Sequence, residues 1–190
     1  MKKLMISMVA LMMAMSVNAQ KILNDSGTPF EEGKFYVNAA WTGSALSYSK
    51  STDFQLGIGA KAGYFFMDNL MGLAVVDFNS SGNFDYMKTQ LGVGARWYFD
   101  TVGIYVGGVA KYVYTREKND VAIVAADQTT IFYEGHPSFN DFRPEINAGY
   151  TFFLNRNVTI EPEVYYEQSF KKNDYSGFGL RLGLSYYFNL

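Results

Sequence analysis

Four groupings in the chain combine residue types that could do chemistry. Gly57-Ile58-Gly59-Ala60-Lys61-Ala62 fits the loose G-x-G-x-x-A form of a dinucleotide fingerprint, whose glycines let backbone close on a pyrophosphate at a helix N-terminus. That chemistry needs a strand-to-helix turn. Here apolar alternation runs straight through the motif and no helical pattern follows, so it reads as mid-strand. His136, the only histidine, stands two residues before Ser138, a base beside a hydroxyl nucleophile. Pro137 separates them within the longest polar connection, where an ordinary exposed loop histidine is the simpler reading. Asp120, Asp127 and Asp141 could at most join a loose calcium site, and one histidine without cysteine cannot build a zinc site. No cofactor and no catalytic residue are expected. The fourth grouping is the largest: Lys61, Lys88, Arg96, Lys111, Arg143 and Arg181 recur with Asp77, Glu145, Glu161, Glu163 and Glu167. Six positive against five negative nearly balance, which is the composition of an ion-pair network.

The elements that must position those charges begin after a leader. Lys2 and Lys3 start the chain, Leu4 to Met15 is apolar but for Ser7, and Ser16-Val17-Asn18-Ala19 supplies small residues. This pattern predicts a signal peptide over 1–19, cut between Ala19 and Gln20, and an exported product. Twelve residues are too few for a spanning helix, which needs about 20. Residues 20–33 follow as a periplasmic N-terminal segment. The whole chain has 190 residues with a formal charge of −2, so no basic field exists to hold nucleic acid. Without cysteine there is no disulfide framework and no acylated lipoprotein cysteine. Thirty-three aromatic residues exclude disorder.

From Phe35 onward the apolar residues recur with period two. Phe178, Leu180, Leu182, Leu184, Tyr186, Phe188 and Leu190 share one phase; Gly177, Gly179, Arg181, Gly183, Ser185, Tyr187 and Asn189 share the other. Successive strand residues point to opposite faces, so such a segment is a strand with an oily side and a polar side. Eight segments read this way, at about 35–48, 53–66, 70–79, 85–99, 103–115, 141–154, 158–170 and 175–190. Short Asp/Asn turns at 67–69, 100–102 and 155–157 alternate with polar, mostly longer connections, the longest being 116–140. Short turns at one end and long loops at the other are the asymmetry of an outer-membrane barrel. The expected fold is therefore all-β, an eight-stranded antiparallel up-and-down transmembrane β-barrel over 34–190.

A soluble lipocalin-like barrel shows the same alternation with the faces exchanged. Two features favour oil outside. Tyr64, Phe66, Trp97, Phe99, Tyr150, Phe152, Tyr186 and Phe188 put aromatic residues of the apolar phase near one barrel end, as an interfacial girdle would. Glycines populate the polar phase, where small residues leave room for long charged chains in a narrow lumen. Each basic residue facing lipid at mid-depth would cost about 2–4 kcal/mol, so a few would consume a typical total stability of roughly 5–15 kcal/mol.

Segment 70–79 is ambiguous: Asp77 turned inward would also bring Met71, Leu73 and Val75 to the lumen unless a bulge intervenes. Within 116–140, Val121–Ala126 and Thr129–Tyr133 have strand composition. Six residues cannot cross a core that takes about 9–11 per strand, so these read as strands extended beyond the membrane, with an apolar edge fit for a partner or a second copy. Lys50, Arg116, Lys118, Lys171 and Lys172 gather at the loop end; they read equally as a contact for lipopolysaccharide phosphates and as a solvated rim.

The runs Gly63-Tyr64-Phe65-Phe66-Met67-Asp68-Asn69-Leu70 and Gly94-Ala95-Arg96-Trp97-Tyr98-Phe99, with Gly149–Val158 and Ile160-Glu161-Pro162-Glu163, resemble the small porin-like outer-membrane β-barrel domain family of Bacteroidetes-type bacteria. The resemblance covers about 34–190. It implies an OmpA- or OmpX-like eight-stranded barrel in the bacterial outer membrane, both termini periplasmic, and supplies no catalytic residue. The chain end, Arg181, Gly183, Tyr186, Phe188 and then Leu190, resembles the C-terminal signal read by the barrel assembly machinery. The His136–Ser138 spacing is similar to that of outer-membrane lipid A deacylases. A structural or surface-interaction role follows, with outer-membrane lipids and an extracellular partner of loop 116–140 as expected contacts. The alternatives are a narrow porin-like channel, a lipid-modifying enzyme and a soluble binder. Intact-mass analysis of protein from the envelope fraction should place the mature N-terminus at Gln20; a retained Met1 would remove the leader.

Overall fold

The computed structural model describes residues 29–43, 55–81, 86–99, 103–117, 119–124, 130–135, 138–171 and 175–189. The strands in chain order are β1 (Phe35–Gly43), β2 (Gln55–Met67), β3 (Leu70–Ser81), β4 (Tyr86–Tyr98), β5 (Ile104–Glu117), β6 (Asn119–Val124), β7 (Thr130–Gly135), β8 (Ser138–Tyr150), β9 (Phe152–Phe153), β10 (Val158–Glu167) and β11 (Gly177–Phe188). Eight of them, β1 to β5 with β8, β10 and β11, form one antiparallel sheet that β1 closes by pairing with both β2 and β11. Closure leaves the wall no unpaired edge, the condition for crossing hydrocarbon with strands. β9 resumes β8 on the flank of β10, with Thr159 opposite Phe153 and Glu163 opposite Gly149. β5 pairs directly with β8, and β6 with β7 forms a separate two-stranded sheet. The strand-like halves of 116–140 therefore add no staves to the barrel. Lys50, Lys118, Asp127, His136, Pro137 and Lys172, like Ala19, Gln20 and Leu190, lie outside the described residues.

The turns follow from their residues. Asn69 takes the left-handed conformation, φ 64°, which Asn tolerates better than bulkier residues. The Asn155 side chain accepts hydrogen bonds from the N–H groups of Asn157 (2.9 Å) and Val158 (2.8 Å), an Asx turn that reverses the chain into β10.

Side-chain direction settles which face is which. In β11, Leu182 and Leu184 are 56% and 54% exposed while Arg181 is 4% exposed. Lys61 and Glu163 are likewise buried, and Ile58, Val93, Ile146 and Val164 stand exposed on the outer surface. Oil faces out and ions face in. A lipocalin-like arrangement is excluded by this inversion. Among the described residues no helix is long and apolar enough to cross a membrane.

β3 resolves without a bulge of its own. Met71, Leu73, Val75, Asp77 and Asn79 all face inward, and the irregularity in the β2–β3 pairing falls between Phe65 and Met67 instead. The short-turn end of the lumen is thus apolar. Met71, Leu73 and Val75 pack there with Phe65, Tyr98, Tyr105, Val109, Phe153 and Tyr187. Phe30, from the segment before β1, enters the same cluster, its ring 4.1 Å from Tyr98 and stacked on it. The segment is tied down by backbone bonds: Asn69 N donates to Phe30 O (2.7 Å) and Gly33 N to Phe65 O (2.8 Å). The end of the N-terminal segment thus closes the barrel mouth, because Phe30 buries a whole ring that water would otherwise meet.

Two glycines show how large side chains fit so narrow a lumen. A Cβ on Gly179 would overlap the Tyr165 ring, and one on Gly149 would overlap that of Tyr105. The absent side chain is what lets each tyrosine lie flat against the neighbouring strand. Gly179→Val should lower stability in detergent micelles by about 1–3 kcal/mol, read from urea unfolding, whereas Gly108→Val, on the outer face with ordinary contacts only, should stay within about 0.5 kcal/mol. Equal losses would refute the packing argument.

Candidate functional site

The charged side chains build a column above the apolar floor. Arg96 from β4 is its lowest cation, fully enclosed. Its Nη1 donates to Glu161 Oε2 (2.9 Å), Tyr36 Oη (3.1 Å) and Tyr98 Oη (3.0 Å), and its Nη2 to Glu163 Oε2 (2.9 Å). The guanidinium also lies 3.9 Å from the centroid of Tyr105, a cation–π contact that strengthens in a dry site. Tyr36 and Tyr187 donate to the two oxygens of Glu161 at 2.7 and 2.8 Å.

Glu163 is the hub of the middle tier. It accepts from Lys61 on β2 (2.8 Å), Arg96 on β4 and Arg181 on β11 (2.7 Å). Arg181 also grips Glu145 on β8 with two parallel bonds of 2.7 and 2.6 Å, the fork geometry that suits guanidinium to carboxylate. Its carbon plane stacks 3.8 Å from the Tyr165 centroid. Lys111 on β5 completes the tier, bonded to Glu145 and reaching Asp77 at 3.4 Å. Above it, Lys88 bonds Glu167, and Arg143 joins Asp141 (2.7 Å) to Glu167 (3.4 Å).

Asp141 is a member of this column that the sequence analysis did not count among the lumen charges. Its partners are Arg143 Nε and Ser169 Oγ, which donates at 2.5 Å. The signal was present: Asp141 shares the strand phase of Arg143 and Glu145. With it, six cations face six anions, and the described lumen carries no net charge. Asp120 lies in β6, and among the described residues no three His, Cys, Asp or Glu side chains are arranged to hold a metal.

The remaining sequence-predicted positions fall as follows. Tyr64, Phe66, Trp97, Phe99 and Tyr186 stand 43–47% exposed on the outer face, and Tyr150 and Phe188 are half-buried there. Phe152 differs: it is only 8% exposed, packed 4.4 Å from Tyr150 where the strand breaks at Thr151. Arg181 and Gly183 point inward and Tyr186 outward along β11. At the long-loop end Arg116, Ser138 and Lys171 are exposed, and Lys171 Nζ donates to Asn140 O (3.0 Å).

No protein-family model and no curated protein matches the sequence. Solved structures do. The N-terminal β-barrel domain of Pseudomonas aeruginosa OprF superposes with a TM-score of 0.56 at 14% identity, over 83% of this chain and 98% of that one. Neisserial surface protein A gives 0.54 at 15%, over 80% and 95%. Ail, the attachment invasion locus protein of Yersinia pestis, gives 0.51 at 16%, over 83% and 99%, and a further Ail structure holds the heparin analogue sucrose octasulfate. The chain has their fold. That fold is a closed eight-stranded antiparallel β-barrel, and its oil-out, ion-in wall is what a lipid bilayer requires.

Removing one partner of a buried ion pair strands the other, at a typical cost of about 3–5 kcal/mol. Arg181→Ala should therefore lower urea and heat resistance by that order, and Lys171→Ala, at the exposed rim, by no more than about 1 kcal/mol. Equal resistance of the two variants would count against the network as a stabiliser.

Proposed function

We propose that this protein is an integral outer-membrane barrel with a structural and surface-interaction role, in which the barrel is the anchor and segment 116–140 is the part that meets other molecules. The observation that carries the reading is the filled lumen. A charge-neutral ion network occupies its length and Phe30 closes the short-turn mouth. A wall so filled holds a protein in the membrane and leaves no room for general solute diffusion. The narrow channel is the weaker alternative for the same reason.

The same reading assigns roles to the ends. Tyr64, Phe66, Trp97, Phe99, Tyr150, Tyr186 and Phe188 form the periplasmic interfacial girdle, where amphipathic rings sit at headgroup depth; Phe152 supports it from beneath Tyr150. The short turns and both termini are periplasmic, the leader 1–19 having been removed in export. The β11 end, Arg181 to Leu190, is the segment offered to the barrel assembly machinery. At the opposite rim, exposed Arg116 and Lys171 suit the anionic phosphates of lipopolysaccharide, and the complex of Ail with a polysulfated sugar supports that chemistry by analogy. β6 and β7 continue the β5–β8 pair past Arg116 and Ser138, which gives the extracellular partner an extended hairpin to meet.

Excision of Asn119–Gly135 should leave a protein that still needs detergent and still shows heat-modifiable gel mobility. The same excision should abolish the cross-links that photoreactive groups within 116–140 form on intact cells. Discrete conductance steps from the purified protein in planar bilayers would overturn the anchor reading, as would cross-linking unchanged by the excision.

A further inference from the structure

The chain has four prolines, Pro29, Pro137, Pro144 and Pro162, and the two that lie in barrel strands sit on either side of one seam. Gln168 N donates to Pro144 O (3.0 Å), so the Pro144 edge that would carry an N–H faces β10. The Pro162 carbonyl oxygen lies against Gly149 of β8, so the corresponding edge of Pro162 faces β8. Each ring nitrogen lacks the proton a ladder bond needs. The consequence is visible in the pairing. β8 and β10 pair without interruption only over Glu145–Gly149 with Glu163–Glu167, and resume for two residues at Phe152–Phe153. Among the described residues every other seam pairs over nine or more.

Both faces of this seam compensate differently. On the lipid side an apolar groove of about 570 Å³ runs across this seam and the β4–β5 seam alike, lined by Trp97, Val106, Ile146, Ala148, Val164 and Phe178. Asn147 and Tyr165 also line the groove, although both belong to the inward phase of their strands; the wall is one backbone thick there. On the lumen side, side chains bridge what the backbone does not. Arg181 reaches from β11 past β10 to Glu145 of β8 while holding Glu163 of β10. Higher up, Arg143 of β8 meets Glu167 of β10, and Asp141 accepts from Ser169.

We propose that the barrel wall opens along the β8–β10 seam, and that Arg181 is the clamp that holds this line shut. Backbone donors exposed to hydrocarbon are costly, so a wall opens first where fewest ladder bonds must break. The side-chain closure centres on one guanidinium that binds a carboxylate on each side, with the Arg143–Glu167 and Ser169–Asp141 contacts above it.

Amide hydrogen exchange in detergent micelles tests this on the unmodified protein. Amides of Ile146, Ala148, Val164 and Tyr166 should exchange at least tenfold faster than those of Leu91, Val93, Ala95, Gly108 and Ala110 in the β4–β5 seam. Arg181→Met should accelerate the first set a further tenfold and leave the second within twofold, whereas Pro162→Val should slow the first set. Because the natural chain has no cysteine, a disulfide between Ala148→Cys and Val164→Cys, which lie opposite one another, reports on this seam alone. It should raise the temperature of the heat-dependent gel shift more than Val93→Cys with Ala110→Cys, the matching pair in β4–β5. Seam amides no faster than the β4–β5 set would overturn the opening line. Equal loosening of both sets by Arg181→Met, or equal gains from the two disulfides, would overturn the clamp. Should Arg181→Met fail to assemble, the exchange map and the disulfide pair decide.

Discussion

The cost of an ion in hydrocarbon organises this molecule. Six cations and six anions lie on strands that the bilayer surrounds, and a lipid-facing orientation of even a few would outweigh any plausible folding free energy. Turning them inward solves that problem and creates another, since a buried ion without a partner is nearly as costly. The lumen answers by equality of charge and by geometry. Glu161, Glu163 and Glu167 stand on one face of β10, where alone they would repel, and each meets a cation arriving from another strand: Arg96, Lys61 with Arg181, and Lys88. The attraction is therefore mostly between walls and seldom along one strand. It makes closure of the barrel and neutralisation of the acids the same event.

Packing follows from the same constraint. Long side chains must cross a lumen only eight strands around, so facing positions become glycine, as at Gly179 under Tyr165. Where β3 supplies Met71, Leu73 and Val75 instead of ions, the lumen is filled by oil and rings. That floor lets the neighbouring Arg96–Glu161 pair operate out of water, where its bonds to Tyr36 and Tyr98 are strongest. Phe30 belongs to the floor for the same reason: it shields from below what the strands shield from the sides.

Much of this was legible in the sequence, because strand periodicity converts residue type into direction. Strict alternation in β11 and the phase shared by Lys61, Lys111, Glu145 and Glu163 sufficed to fix the eight staves, the exterior and the ion-filled interior. What escaped depended on contacts that no period encodes. Asp141, first residue of its expected strand, was not counted among the lumen charges, although its phase matched Arg143. The inward turn of Met71, Leu73 and Val75 contradicts their hydropathy locally and makes sense only beside Phe30, whose position depends on backbone bonds to the β2–β3 turn. Phe152 has the outward parity of its neighbours, but the break at Thr151, whose N–H donates to Gly103 O at 2.8 Å, folds it onto Tyr150. Short strands within 116–140 were readable from composition, and their length already kept them out of the barrel; that they pair with each other required the register.

Two kinds of bond close this wall, and they are distributed unevenly. Backbone ladders are many and local, and they hold seven seams with little help. Side-chain ion pairs are few and reach across the lumen, and they concentrate on β8 and β10, which carry five of the six acids and both strand prolines. A proline in an interior strand removes a donor that hydrocarbon cannot replace, so the strand that tolerates it must be held by something other than its backbone. Glu163 and Glu145, gripped by one arginine, supply that hold. The uneven distribution means that stability lost from the network is not spread round the barrel. It falls first on the strand pair whose backbone contributes least, which links the lumen's electrostatics to the mechanics of the wall.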